Sequence, residues 1–271
     1  MDRRPSTPHP RRGLFLAPFD ELSDPLVLID LAVAAESSGW DGVFLWDHIV
    51  HRPPVRAVSD PWVALSAIAA HTERLRLGPM VTPLSRRRVQ KVARETVTLD
   101  RLSRGRLTLG VGLGSSNTAE LVPYGEVVDD RERARLLDEG LARLASFWSG
   151  EFEPPPVQEP RIPVWVAARW PNRRPVARAL RWDGLFVIEL PGPDALAELA
   201  SEIERDRAST STSTSTGTST SASTPFDVVI EIDPGDDPAP WAAAGATWVL
   251  TGFGRTPRLG AVREAAAAGP G

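Results

Sequence analysis

Two adjacent residues, Asp47 and His48, are the pair in this chain best suited to proton chemistry. An imidazole exchanges a proton near neutral pH, and a neighbouring carboxylate can orient it or accept from backbone amides. The bland alternative is a turn-capping aspartate beside a histidine that fills space. Four histidines are present, His9, His48, His51 and His71, and none falls in a metal-binding spacing such as HExxH. His51 reads as a loop residue and His71 as a helix-surface residue. Gly110, Gly112 and Gly114 in GVGLGSSN lack side chains where backbone could approach an anion or a flat ring. Arg86, Arg87 and Arg88 form a basic turn that could meet a phosphate or remain solvated. Glu231 closes the apolar run DVVIEI and could join Asp47 and His48 in cofactor-free hydrolase or lyase chemistry.

These residues matter only if one scaffold gathers them. After residue 12, short β-branched runs alternate with longer amphipathic segments. Strands are expected over 13–19, 41–46, 75–82, 106–112, 163–167, 184–188, 227–232 and 247–250. Helices are expected over 26–38, 61–71, 86–102, 130–148, 174–181, 194–207, 240–244 and 257–268. Asp24 and Asp60, each followed by Pro, are natural N-caps, and Gly39 is a natural stop. Eight such pairs predict an α/β fold, a single (β/α)8 TIM barrel over residues 13–271. A doubly wound sheet is the rival, but the first turn lacks its glycine signature. In a barrel the reactive groups stand at strand carboxyl ends. Those ends are Asp47 and His48; Met80, Val81 and Thr82; the glycines to Gly114; Ala167, Ala168 and Arg169; and Glu231. Residues 1–12 read as a flexible tail, and the Ser/Thr alternation over 208–224 as a disordered loop at the opposite, amino-terminal end.

Composition narrows the partners. A net charge of −4 argues against nucleic acid, which requires a clustered basic face. The absence of cysteine excludes disulfides, thiolate metal sites and Cys nucleophiles. With no metal-ligand spacing either, no metal site is expected. No apolar run suits a membrane span, and no secretion signal is recognisable, so a cytoplasmic location is expected. The nine tryptophans read as core or helix–barrel packing, with a pocket or homodimer face as the alternative.

The blocks Trp46-Asp47-His48, Asp60-Pro61-Trp62, AAHTERLRLG (69–78) and TLDRLSRGRLTLGVGLG (98–114) occur in an order that resembles the bacterial luciferase-like flavin- and F420-dependent oxidoreductases. RARLLDEGLARLASFWSGE (133–151) and IPVWVAARWPNRRPVARALRWDG (162–184) continue the likeness, which covers most of 13–190. The resemblance implies a luciferase-like barrel using reduced FMN or coenzyme F420 for monooxygenation or hydride transfer on a small organic substrate. It implies Met80, Val81, Thr82, Gly112, Leu113, Gly114, Ala167, Ala168 and Arg169 as cofactor-binding, His48 and Asp47 as catalytic, and a non-proline cis peptide at Met80–Val81. A separate flavin or F420 reductase becomes an expected partner. Ser115 stands where some F420-using relatives carry a glutamate, and Ala167-Ala168 where the family often has Gly-Gly. Those departures motivate the alternative of a non-catalytic ligand-binding barrel, a carrier or sensor.

Overall fold

The computed structural model describes residues 9–115, 118–212 and 225–271. Its strands are β1 (Arg11–Leu16), β2 (Gly42–Leu45), β3 (Arg76–Pro79), β4 (Thr82–Pro83), β5 (Leu109–Gly112), β6 (Val164–Arg169), β7 (Gly184–Ile188), β8 (Asp227–Ile232) and β9 (Trp248–Gly252). They pair in parallel in the order β3-β2-β1-β9-β8-β7-β6-β5-β4. β3 and β4 are two halves of one barrel position. β3 lies along β2, and the Met80 N–H still donates to the Leu45 carbonyl at 2.7 Å. Two residues on, β4 pairs Thr82 with Val111 of β5, and a bridge between Leu77 and Leu107 closes the same seam lower down. The fold is the expected (β/α)8 barrel. The third strand is split because its chain hands its hydrogen bonds from one neighbour to the other, which a two-residue period does not reveal. The Met80–Val81 peptide is cis, where the resemblance places it.

Helices α1 (Pro25–Ser37), α2 (Pro61–His71), α3 (Val89–Leu102), α4 (Asp130–Ser146), α5 (Arg173–Ala179), α6 (Pro193–Thr212), α7 (Ala239–Ala243) and α8 (Leu259–Ala268) follow the strands. The Asp24 carboxylate accepts from the Leu26 N–H and that of Asp60 from the Val63 N–H, both at 2.9 Å, with Pro25 and Pro61 opening the helices. Both caps use donors that would otherwise have no partner inside the helix. Gly39 takes φ +91° just past α1, a conformation that side chains resist.

Three boundaries differ from the sequence reading. Arg11 and Arg12 belong to β1 and not to a tail: their amides donate to the Thr247 carbonyl and the Asp41 carboxylate. α3 begins at Val89, because 84–86 form a 3-10 turn and Arg87 is extended. α6 runs to Thr212, carried by its buried Leu196, Leu199 and Ile203, so the expected loop loses its first five residues. The remainder, 213–224, and the tail through residue 8 lie outside the described residues.

Alternation along the strands divides the core in two. Leu14, Leu16, Val43, Leu45, Val228 and Ile230 face the helices. Phe15, Phe44, Met80, Trp165, Phe186, Val229, Trp248 and Leu250 fill the barrel interior. At least two close-packed aromatic contacts, Phe44–Trp248 and Trp165–Trp248, are edge-on at 5.6 and 5.4 Å, a favoured geometry. The plug supports what stands above it at the carboxyl ends.

Candidate active site

The inward-facing residues just above the plug come from different strands yet touch one another. A Cβ on Gly112 would sit 2.9 Å from Val81 Cγ2 and 3.4 Å from Ala167 Cβ, so β5 approaches both neighbours only without a side chain. Gly110 likewise leaves room for Met80, whose Sδ would lie 2.6 Å from an added Cβ. Val81, Ala167, Trp46 and Ile188 pack on the interior cluster and form the floor of the mouth. Trp46 also meets Phe15, Phe19, His48 and His51, at ring separations of 5.6 to 6.4 Å.

His48 stands beside this floor, in the segment after β2. Its Nδ1 lies 3.1 and 3.0 Å from the two carboxylate oxygens of Glu120. Glu120 also accepts from the Ile49 N–H at 2.9 Å and faces Arg86 at 2.9 Å. It is 1% exposed. Burial by itself would raise its pKa, but the hydrogen bond from His48, the charges of His48 and Arg86 and the Ile49 amide together hold it below the ordinary glutamate range. An ionised carboxylate at Nδ1 favours the tautomer protonated there, which leaves Nε2 as the acceptor.

Glu120 was not singled out from sequence. It lies 72 residues from His48, in the segment after β5, five residues beyond Ser115, the position where some F420-using relatives carry a glutamate. The available signal was location: a carboxylate in a loop at the reactive pole of the barrel. Asp47 differs from its expected role. It is 4% exposed and does not bond His48. Its carboxylate accepts from Trp62 Nε1 at 3.3 Å, Thr82 Oγ1 at 2.9 Å and the Arg87 guanidinium at 2.7 and 2.8 Å. Asp47 therefore clamps the end of β2 to β4, α2 and the turn before α3. This also explains the late start of α3, since Arg86 and Arg87 turn back toward Glu120 and Asp47 and are not held out for a phosphate.

The expected cofactor-binding positions divide in the same way. Met80, Val81, Gly112 and Ala167 meet at the floor. The Thr82 side chain is fully buried against Asp47. Ala168 and Leu113 pack into the outer, helix-facing core, so one methyl of the Ala-Ala pair reaches the mouth. Gly114 takes φ +78° against Pro83. Arg169 is at the exposed rim, paired with Glu189.

Two polar atoms at the mouth are buried without a hydrogen-bond partner, Trp46 Nε1 and His51 Nδ1. Burial and the nearby His48 lower the pKa of His51, favouring its neutral form. Such orphans are costly unless something satisfies them. A flat heteroaromatic ring with carbonyl and ring-nitrogen atoms has the required shape and polarity, so the residues present fit a flavin or deazaflavin. Across the mouth, a cavity of about 250 Å³ is lined by Ile188, Glu189, Ile230, Glu231, Asp236 and Trp241, among others. Among the described residues no cluster of three or more His, Asp or Glu could hold a metal ion, and no helix is long and apolar enough to cross a membrane.

The family described as luciferase-like monooxygenase matches residues 18–232. The F420-dependent glucose-6-phosphate dehydrogenase of Nakamurella multipartita is 37% identical over 150 residues, 54% of this chain and 43% of that protein. The enzyme of the same name from Beutenbergia cavernae is 33% identical over 214 residues, 68% of this chain and 61% of that protein. The chain thus spans less than two thirds of either relative. An F420-dependent secondary alcohol dehydrogenase, solved with an F420–acetone adduct, superposes with a TM-score of 0.71 at 14% identity, covering 96% of this chain and 99% of that one. At that identity the likeness concerns the fold.

Proposed function

Because the chain belongs to the luciferase-like monooxygenase family, we propose that it is an oxidoreductase that binds F420 or reduced FMN at the barrel mouth and acts on a small organic substrate. The observation that carries this reading is the meeting of Val81, Gly112 and Ala167 beside Trp46 and a glutamate-backed histidine. The cofactor supplies the redox step when bound, as hydride exchange for F420 or oxygen activation for reduced FMN. Val81, Gly112 and Ala167 would support the ring, and Trp46 Nε1 and His51 Nδ1 would meet its polar edge.

The chain's own contribution is positional and protonic. Glu120 fixes the ring of His48 and directs Nε2 outward. As an alcohol is oxidised to a carbonyl, His48 Nε2 takes the hydroxyl proton; in the reverse direction it returns it. The aromatic wall of Phe19, Trp46 and His51 excludes water around that exchange. F420 is the cofactor named for both curated relatives, while a family described as monooxygenases keeps reduced FMN as a second reading. A carrier or sensor role finds no support among relatives named as enzymes. A reductase that regenerates the cofactor, a homodimer and a cytoplasmic setting belong to the same proposal.

Titrating F420, FMN and reduced FMN separately, by fluorescence and calorimetry, tests it. One of them should bind at micromolar concentration and support turnover that falls roughly a hundredfold or more in His48→Ala. Binding of none defeats the reading.

A further inference from the structure

The proton chemistry of His48 and Glu120 occupies one side of the mouth and leaves Glu231 on the other unexplained. β8 alternates: Val228, Ile230 and Ile232 face the helices, while Val229 joins the interior plug. Glu231 therefore points inward, one step above Val229, where the barrel opens. Its carboxyl fills the space in front of Gly252 at the end of β9, so that a side chain there would collide with it. It also lines the cavity between Ile188, Ile230 and Trp241. Among the described residues its carboxyl has neither a hydrogen-bond nor an ion-pair partner.

Resting on the reading of the mouth as a cofactor site, we propose that Glu231 meets the bound ring as a neutral carboxylic acid. It would donate a hydrogen bond to an uncharged carbonyl oxygen of the kind carried by the pyrimidinedione edge of both F420 and FMN. The surroundings oppose a carboxylate. Asp233 and Asp236 face it from the turn after β8, and Glu189 faces it from the end of β7, with its charge already engaged by Arg169. Gly252, its contact on β9, brings no charge. Burial, reinforced by Asp233, pushes the carboxyl up to about 7. A protonated acid has a single donor to give, and although Glu189, Asp233 and Asp236 also line the cavity, none of them is hydrogen-bonded to Glu231 among the described residues.

Infrared difference spectra of the full chain without cofactor, recorded between about pH 5 and pH 9, test the proton directly. The wild type should show a protonated-carboxyl C=O band that titrates near neutrality and is missing in Glu231→Gln. No such band overturns the proposal. Adding F420 or FMN should move that band to lower frequency, and a band that stays put while the cofactor is bound also overturns it. Glu231→Gln, which keeps a donor, should bind the cofactor within about threefold of wild type, whereas Glu231→Ala should lose roughly tenfold; an unchanged Ala variant counts against the contact. If neither cofactor binds the wild type while the band is present, the cofactor reading of the mouth falls and the ring contact with it, and the proton state of Glu231 stands.

Discussion

Glu120 and Glu231 are the same residue type at the same end of one barrel, and the fold treats them oppositely. Glu120 has almost no exposed surface, yet it is held ionised, because His48, Arg86 and the Ile49 amide all converge on it. Glu231 is pushed toward neutrality, because apolar walls and further carboxylates are all it meets. Burial depth therefore does not decide the charge of a carboxyl; the donors the chain brings to it do. On the proposed reading, the mouth carries a fixed anion that orients a base on one side and a neutral acid on the other.

The largest effect should come from removing the anion. Glu120→Ala leaves the Arg86 guanidinium buried without its partner and should cost about 3–5 kcal/mol in denaturant unfolding, along with the orientation of His48. A loss under about 1 kcal/mol would show that Arg86 and Glu120 do not form the pair described. Next is the pH profile of stability. The Glu231 carboxyl shifts from an ordinary 4.5 to about 7 on folding. Between those values the folded chain keeps a proton that the unfolded chain has released. The associated stability is complete below about pH 4.5 and drains away as pH rises through about 7, by at most about 3 kcal/mol. Melting temperatures of wild type and Glu231→Gln should diverge over that window, with the variant gaining toward high pH; parallel curves would remove the contrast. Glu120 has the opposite sign. Its lowered pKa contributes stability above the ordinary glutamate value that disappears as pH falls through the folded one, so Glu120→Gln should flatten the acid limb.

Gly252→Ala sharpens the comparison further, since the new methyl must displace the Glu231 carboxyl. It should cost about 1–3 kcal/mol, and much of that should return in the double variant with Glu231→Ala. Additive costs would mean that the two residues do not share the space. The smallest effect expected is for Asp47→Asn, where Thr82 and Trp62 keep an acceptor and the partly exposed Arg87 loses its charge partner, about 1 kcal/mol by thermal melt.

The barrel itself was legible because its signals are local. The Asp-Pro caps at 24–25 and 60–61 and the alternation in DVVIEI each act within a few residues, and all agree with one topology. The reactive pole followed from topology, and with it the positions of His48, Gly112 and Glu231. What was hidden depended on distant partners. Nothing near Asp47 announces that Arg87 and Thr82, 40 and 35 residues away, will claim its oxygens. Nothing near His48 points to Glu120. The split of the third strand was hidden for a related reason: its two halves serve different neighbours, and periodicity records faces but not partners.

α6 and β8 are joined at the pole opposite His48 and Glu231, and the part of the Ser/Thr alternation beyond Thr212 falls between them in the chain. The entropic cost of joining two anchored elements grows only slowly with the length of the segment between them. With α6 anchored by Leu196, Leu199 and Ile203, and β8 paired on both edges, a change in repeat number is absorbed before it reaches the mouth. The chain can thus drift in length at its base, or take a fused reporter there, while its chemistry stays in register.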